Sequence, residues 1–231
     1  MSGDLVGAME RDGFVVLHGT FPVELVDAVA AAYGRMLDER RDPGMVVGPG
    51  RVQLPVVLRP PFTDEALVCK LLPLLGMLLG DDLLIASYGS VVAWPGAGVQ
   101  HLHRDHGPLF PMPLGGELPC HAVTLVVPLV DLDASTGTTA LFPGTHRVGS
   151  PEGVEPEMAW ARRGDCFLMD YRIFHAGTPN VGAWPRPLLY IVYSRPWFVD
   201  ALNYHEMPPL IVGPEGLAGV GPKARWVLRR C

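Results

Sequence analysis

The stretch Gln100-His101-Leu102-His103-Arg104-Asp105-His106-Gly107 concentrates three histidines and one carboxylate in a chain that is otherwise apolar and lightly charged. In an extended segment, residues i and i+2 point to the same face, so His103 and Asp105 can reach one metal ion together. One distant histidine would complete a set of two imidazoles and one carboxylate, which is typical of oxygen-activating non-haem Fe(II) enzymes. We predict that His175 is this third ligand.

His101 leaves a second possibility open, because it shares a face with His103. A His101/His103 pair would suggest a cupin-type metal site, which usually adds a glutamate a few residues later. The nearest glutamate is Glu117, beyond a proline-rich loop. We therefore prefer His103 and Asp105, although a His-x-Asp pattern alone also recurs by chance in surface loops.

The composition indicates a single domain over residues 1–231. All-β barrels and sandwiches often reach this length undivided, and 48% apolar residues can bury a sizeable core. The formal net charge is -6, and basic residues cluster only in short pairs. This argues against nucleic acid as a partner, because phosphate binding needs a concentrated positive face.

The chain also predicts a cytoplasmic protein that does not contact membranes. Its N-terminus has no basic region followed by an apolar core, and its longest apolar run, residues 71–79, is too short to span a bilayer. The cysteines form no CxxC pair, which favours reduced thiols; they are Cys69, Cys120, Cys166 and Cys231. The oligomeric state is not indicated.

Apolar residues at helical spacing predict three helices in the first 80 residues. They run from Asp4 to Gly13, over residues 22–40, and over residues 63–79 with Thr63 as the N-cap. Residues 41–62, rich in proline and glycine, indicate a long loop.

Short strands dominate after residue 83. β-Rich segments cover 14–17, 83–94, 122–132, 140–142, 166–169 and 188–194. Pro128 predicts an edge or a bulge in the third of these, since proline lacks the donor that a central strand needs. Helices followed by strands predict a mainly β fold, with a helical flank at about 1–80 packed on a β-sandwich or jelly roll at about 83–200.

His175 and Arg186 are separated by a short loop-like segment. A 2-oxo diacid that chelates a metal needs a fixed cation for its far carboxylate, and a guanidinium offers a bidentate fork. Each residue has a plainer interpretation, as a turn histidine and a loop arginine. Their spacing favours the pair as parts of one site.

Four segments resemble the phytanoyl-CoA dioxygenase family of Fe(II)/2-oxoglutarate-dependent oxygenases. Residues 9–17 resemble the family's opening helix-to-strand segment, and Gln100 to Asp105 resembles its metal motif. Residues 136–146 (TGTTALFPGTH) resemble the segment written N-G-x-[TL]-x-x-x-P-G-S-H. His175-Ala176-Gly177, followed by Asn180 and Arg186, resembles the distal ligand and the cosubstrate arginine. The resemblance extends to about Trp197.

The resemblance implies a double-stranded β-helix and a role for each matched residue. His103, Asp105 and His175 would bind iron, Arg186 would hold the distal carboxylate of 2-oxoglutarate, and Thr139 would hydrogen-bond the cosubstrate. Gln100 would lie beside the cosubstrate or the substrate. The implied activity is a dioxygenase, in practice a hydroxylase, that consumes O2 and 2-oxoglutarate, oxidises a C–H bond, and releases succinate and CO2.

Three departures from the family pattern bear on the site. Thr136 replaces the usual asparagine of the turn, and the chain is shorter than many relatives. Gly177 stands where some members have a serine that binds the cosubstrate, so that contact would be either missing or supplied by Thr178. Related halogenases carry Ala or Gly in place of Asp105, so a carboxylate here favours hydroxylation.

The remaining histidines are expected outside the ligand set. His106 and Arg104 would face outward or touch substrate at the mouth of the pocket. His121 would be structural, and His146 would lie in a structural turn or line the site. His18 and His205 would serve at the surface or in packing.

The substrate is expected to be a small organic molecule, such as a natural-product intermediate. Loops 41–60 and 107–119 would cover the iron, because such sites are built by loops over a rigid sheet. The candidates for lining the pocket are Arg51, Phe110, Met112, Tyr193, Arg195 and Trp197. Two other functions stay open: a cupin-like metalloenzyme that uses no 2-oxo acid, and a catalytically silent binding protein of the same fold.

Overall fold

The computed structural model of the protein describes residues 2–39, 44–204, 208–213 and 217–229. The helices in these ranges are α1 Ser2–Asp12, α2 Val23–Glu39, α3 Glu65–Val68, α4 Leu72–Leu79, α5 Leu114–Glu117, α6 Thr145–Val148 and α7 Pro222–Val227. None of these described helices is long and apolar enough to cross a lipid bilayer.

Two sheets make up most of the fold. The seven-stranded sheet is antiparallel and has the order β1 (Phe14–Leu17), β9 (Cys166–Asp170), β6 (Ala122–Pro128), β11 (Arg186–Ser194), β5 (Leu84–Ala93), β3 (Arg51–Pro55) and β2 (Met45–Gly48). The smaller sheet has the order β10 (His175–Gly177), β7 (Thr139–Leu141) and β8 (Glu157–Met158). A separate parallel pair joins β12 (Ile211–Val212) to β4 (Val57–Leu58).

The two faces of the large sheet serve different purposes. One face packs on α2 and α4 and forms the main hydrophobic core, which includes Val29, Leu75, Leu125 and Ile191. The other face looks towards the three-stranded sheet across a cavity lined by residues of both sheets. This arrangement confirms the predicted jelly roll with an N-terminal helical flank.

The first helix and strand form as predicted from the sequence. Gly13 ends α1 with a φ of 83°, a left-handed conformation that glycine adopts without steric cost, and its N–H donates to the Met9 carbonyl at 3.0 Å. The second predicted helix is α2. Both helices present an apolar face to the core.

The third predicted helix is instead two short ones, α3 and α4. Asp64, and not Thr63, is the N-cap of α3, because its carboxylate accepts the Ala66 N–H at 2.8 Å. Pro73 lies in the first turn of α4, where a missing N–H costs nothing. The chain therefore restarts a helix at this proline and does not continue one through it.

The predicted loop over 41–62 was wrong for its described part. Residues 45–55 form β2 and β3, which extend the large sheet beyond β5. The helical flank thus contributes strands to the sheet. Glycine and proline lie at the ends of these strands and at the turn between them, so the turn signal concealed two short strands, of which β2 is the edge of the sheet.

The predicted edge or bulge at Pro128 was also wrong. β6 lies between β9 and β11 in the middle of the sheet, and Pro128 is its last residue. A proline at the end of a strand gives up no interior ladder bond. The strand is accordingly shorter than the predicted 122–132.

Candidate metal centre and its cavity

His103, Asp105 and His175 meet at one end of the small sheet. Each offers one ligand atom, and these atoms all lie within 4.8 Å of one another. His103 and His175 form an isolated antiparallel bridge, with N–H to carbonyl distances of 3.1 and 2.7 Å between them. Residues that lie 72 positions apart are therefore held side by side by their own backbones.

Both imidazoles present the same nitrogen to the centre of the cluster. Nδ1 of His103 lies 2.9 Å from the His101 carbonyl, and Nδ1 of His175 lies 3.2 Å from the Ile173 carbonyl. A ring nitrogen must carry the proton to bond a carbonyl, so Nε2 of each ring keeps a lone pair for a metal. Burial and the nearby His175 lower the pKa of His103, which favours this neutral form.

Asp105 completes the cluster with a carboxylate. Its Oδ1 lies 3.7 Å from His175 Nε2, and its Oδ2 accepts a long hydrogen bond of 3.4 Å from Thr124. Two neutral imidazoles and one carboxylate on one side of a vacant volume suit Fe(II) with open coordination positions. The residues present thus fit the predicted metal, although their role as ligands stays a prediction.

The cluster faces a cavity of about 330 Å³ between the two sheets. Its floor is built from alternate residues of β11, namely Arg186, Leu188, Tyr190 and Val192. Such alternation follows from the two-residue period of a strand. Arg186 marks one end of the row and Val192 the other, and Gln100 and Thr139 also line the cavity.

Two buried arginines share the Arg186 end. Arg51 on β3 and Arg186 on β11 both pair with Ala93 of the intervening β5, so their guanidinium groups enter the cavity from either side of that strand. They are only 1% and 2% exposed, and no ion pair joins either to a carboxylate in the described ranges. Burial lowers the pKa of Arg51, and burial together with Arg51 lowers the pKa of Arg186 to about 10, so both stay charged at neutral pH.

Within the part of the chain that the structure describes, the two guanidinium groups bond only backbone carbonyls. Arg51 donates to Gly98 at 2.6 Å and to Thr178, and Arg186 donates to Thr136 at 2.9 Å and to Thr178 at 3.2 Å. The Nε atom of each is buried without a hydrogen-bond partner. A buried cation pair with unused donors is costly unless an anion compensates it, which indicates an anion site.

The position of Arg51 explains why residue 177 is a glycine. A Cβ at position 177 would lie 2.8 Å from Arg51 Nε and 3.0 Å from Gln100 Oε1. The arginine thus occupies the room that a serine would need. Thr178 is no substitute for that serine, because its hydroxyl accepts from the Thr138 N–H at 2.7 Å and donates to the Thr138 carbonyl at 3.0 Å.

Gly177→Ser is therefore expected to impair 2-oxoglutarate binding. Displacing Arg51 from its hydrogen bonds should cost about 1–2 kcal/mol, which corresponds to a roughly tenfold higher KM for 2-oxoglutarate. Steady-state succinate formation at varied 2-oxoglutarate measures this. Gly98→Ser is the control, because its Cβ would meet nothing closer than Pro49 at 3.6 Å. A KM that is unchanged or lower in Gly177→Ser would contradict the assignment.

Gln100 is more firmly held than its predicted role requires. Its Oε1 accepts the Gly177 N–H at 3.1 Å, and its Nε2 donates to the Val47 carbonyl at 3.1 Å. The side chain therefore ties β10 to β2 across the cavity. One amide hydrogen is left for a ligand.

Among the described residues, the histidines outside the cluster lie away from its centre, except for His101. His101 is exposed at the cavity mouth, with its ring 4.9 Å from that of His103. His18 contacts Asp165 at 3.0 Å, and His146 is buried against Glu10. His205 lies outside the described residues. Glu117 is on α5 and lines a different cavity, so it does not complete a cupin-type site with His101.

His106 does not face outward as expected. It packs inward among His121, Tyr171 and Phe198, with ring centroids 5.2 to 6.3 Å away. The expectation for His121 was right, since it is buried beside Phe198. Arg104 does line the cavity, and its guanidinium lies 5.1 Å from the centre of the Phe174 ring.

Most of the predicted pocket residues lie elsewhere. Tyr193 lies on the opposite face of β11 from Arg186. It points into the core, where its hydroxyl donates to the Val68 carbonyl at 2.7 Å. Arg195 bonds the Cys120 and Leu78 carbonyls, and three of the candidates are exposed and do not line the cavity: Phe110, Met112 and Trp197. Of the six, Arg51 lines it.

The two loops expected to cover the iron differ from each other. Residues 45–53 do line the cavity, but as strands. Residues 107–119 do not line it. They pack on α6, where Gly116 approaches the Arg147 carbonyl so closely that a Cβ would overlap it.

Several cavity residues were missed from the sequence. Tyr190 could have been predicted, because it lies four residues after Arg186 on β11 and therefore on the same face of the strand. Its hydroxyl accepts from Gln53 at 2.6 Å. Tyr171, Asn203 and Tyr204 come from loop segments that carried no motif, and only the folded chain brings them here.

Comparison with known proteins agrees with this geometry. A model of the phytanoyl-CoA dioxygenase (PhyH) family matches residues 62–188, more than half of the chain. The chain belongs to the phytanoyl-CoA dioxygenase family. Membership confirms the predicted class of enzyme, a non-haem iron- and 2-oxoglutarate-dependent dioxygenase, and with it iron, 2-oxoglutarate and O2 as cofactors.

Two relatives of this chain illustrate the range of similarity. Dioxygenase af480 of Aspergillus fumigatus is 30% identical over 139 residues, which cover 57% of this chain and 44% of that protein. Ectoine dioxygenase of Bordetella parapertussis is 25% identical over 84% of this chain and 75% of its own length. The chain thus spans less than half of the fungal relative.

Solved structures share the fold at lower identity. The non-haem α-ketoglutarate-dependent epimerase SnoN from nogalamycin biosynthesis superposes with a TM-score of 0.68 at 21% identity, over 90% of this chain and 92% of that one. HygX from Streptomyces hygroscopicus, with nickel, 2-oxoglutarate and hygromycin B bound, superposes with a TM-score of 0.67 at 19% identity, over 85% and 88%.

Proposed function

We propose that the protein oxidises a C–H bond of a small organic molecule, with His103, Asp105 and His175 as the iron ligands. One observation carries this proposal. Three ligand atoms within 4.8 Å of one another share a cavity with two buried guanidinium groups that have no carboxylate partner in the described ranges. A metal centre and an anion site in one cavity suit a dicarboxylic acid that also chelates the metal.

The arginine end would take the distal carboxylate of 2-oxoglutarate. Arg186 offers the fork that planar carboxylates prefer, and Arg51 adds a second positive charge beside it. An anion there would satisfy the unused Nε donors of both side chains. Thr139, buried on β7 and paired with Gly177, would approach the cosubstrate from the small sheet.

The protein's part in the reaction is to orient and to exclude water. Bound iron supplies the oxidising chemistry with 2-oxoglutarate and O2 and leaves succinate and CO2 as the other products. The cavity is also lined by apolar side chains such as Val91, Val126 and Leu188. Because an apolar lining excludes water, it strengthens the charge interactions of the cosubstrate and limits side reactions.

The part of the cavity that the cosubstrate leaves free would receive the substrate. Its lining includes neutral polar side chains, among them Gln53, Tyr190 and Tyr204, which can bond hydroxyl or amide groups. The size of the cavity is in the range of small-molecule sites. A relative named ectoine dioxygenase, together with solved structures of similar fold that hold nogalamycin RO or hygromycin B, supports a small natural product as the class of substrate.

An anaerobic titration tests the proposal. The protein loaded with Fe(II) should develop a weak visible metal-to-ligand charge-transfer band when 2-oxoglutarate is added. Succinate is the control, because it has no 2-oxo group to chelate the metal. Admission of O2 with a panel of small natural products should then release succinate faster with a true substrate. No band and no 2-oxoglutarate binding would overturn the proposed function.

A further inference from the structure

The backbone that carries Asp105 is held from two sides. The carbonyl of Asp105 accepts a hydrogen bond of 2.7 Å from Asn203 Nδ2, and the next N–H, that of His106, donates to the Tyr171 carbonyl at 2.9 Å. Both polar groups of one peptide unit are thus engaged. This unit lies in an irregular segment that no strand ladder supports.

The carboxylate itself has little direct support. Its one hydrogen bond within the described ranges, from Thr124, is long at 3.4 Å, and the side chain is 25% exposed. Where the carboxylate can reach therefore depends on the placement of the Asp105 backbone, and the clamped peptide unit fixes that backbone on its C-terminal side.

The clamp is held together by Asp200. Its Oδ2 accepts from Tyr171 Oη at 2.6 Å and from Asn203 Nδ2 at 2.8 Å, while its Oδ1 accepts the N–H groups of Leu202 and Asn203. Asn203 Nδ2 thus uses its two hydrogens on Asp200 and Asp105. Burial opposes ionisation of Asp200, but these hydrogen bonds lower its pKa on balance.

We propose that Asn203, held by Asp200 and Tyr171, is a positioning residue that aims Asp105 at the metal. The inference rests on the proposed role of Asp105 as a ligand. Asn203 acts through the backbone and touches neither the carboxylate oxygens nor the ligand nitrogens in any hydrogen bond described here. It lies 98 residues from Asp105, so the segment 200–204 is part of the metal site although it follows the last long strand.

Metal affinity tests the proposal without relying on turnover. Co(II) is titrated into the protein, and its visible absorption gives the Kd and the coordination geometry. Asn203→Ala should bind Co(II) about 10- to 100-fold more weakly, the usual effect of losing a partner that orients a ligand. Leu202→Ala, in the same segment and 62% exposed, is the matched control and should bind as the parent does.

A second variant separates a loss of positioning from a loss of the fold. Tyr171→Phe keeps the ring and the carbonyl that holds His106, but it removes the hydroxyl that anchors Asp200, so a smaller loss of Co(II) affinity is expected. Melting temperatures of all variants are compared. Parent-like Co(II) affinity in Asn203→Ala and Tyr171→Phe, with only lower melting temperatures, would overturn the inference. Failure of the parent to bind Co(II) would instead count against the proposed function.

Discussion

Asp105→Ala is expected to abolish substrate oxidation while leaving the fold intact. The change removes the only negatively charged ligand of the cluster and leaves two neutral imidazoles. The loss of activity and of metal affinity should exceed about 100-fold, since even partners that only orient a ligand are worth about 10- to 100-fold. Succinate release and a Co(II) titration measure the two effects separately.

The controls for this variant follow from the environment of Asp105. Its backbone contacts to Asn203 and Tyr171 do not need the carboxylate, so the melting temperature should change little. Asp38→Ala removes an exposed carboxylate on α2 and should behave as the parent. If Asp105→Ala oxidised substrate at the parent rate, the ligand assignment would be wrong.

Loss of Arg186 should act on 2-oxoglutarate and spare the metal. Arg186→Met keeps much of the volume but removes the charge, and a charge-assisted hydrogen bond in a buried site is worth about 1.5–3 kcal/mol. The Kd for 2-oxoglutarate should therefore rise by roughly 10- to 100-fold. Titration of the Fe(II) charge-transfer band gives this Kd, and the Kd for Co(II) alone should stay near that of the parent.

Arg51 makes this prediction sharper. Arg51→Met should also weaken 2-oxoglutarate binding, and the double variant should lose less than the two single effects combined, because both groups would serve one carboxylate. Arg162→Met, at an exposed position away from the cavity, is the control. Unchanged 2-oxoglutarate binding in Arg186→Met would remove this residue from the site.

Local patterns account for the elements that were predicted well. Helices α1 and α2 have regular apolar spacing and clear ends, and β5, β9 and β11 are dense in apolar and β-branched residues. The order of the motifs likewise predicted which residues meet in the fold. The structure brings His103, Asp105 and His175 together and places Arg186 and Thr139 in the same cavity. Short-range information suffices where the residues that define an element or motif are close in sequence.

The errors have a different origin. Strands β2 and β3 carry weak local signals, and they form because β5 offers an open edge. Thr63 was predicted as an N-cap, but Asp64 caps α3. Pro73 was predicted inside one helix, but it lies in the first turn of a new one. Such choices are decided by packing and override local propensity.

The amino-acid sequence by itself determined the family and the class of chemistry, and it predicted the residues of the site, because motif residues keep their identity and order along the chain. Only the tertiary structure decided which groups surround Gln100–Gly107. Arg51 meets Arg186 because both pair with Ala93, and Asn203 reaches Asp105 across 98 residues. These contacts arise from strand register and from the path of a loop, and neither can be predicted from a local sequence pattern.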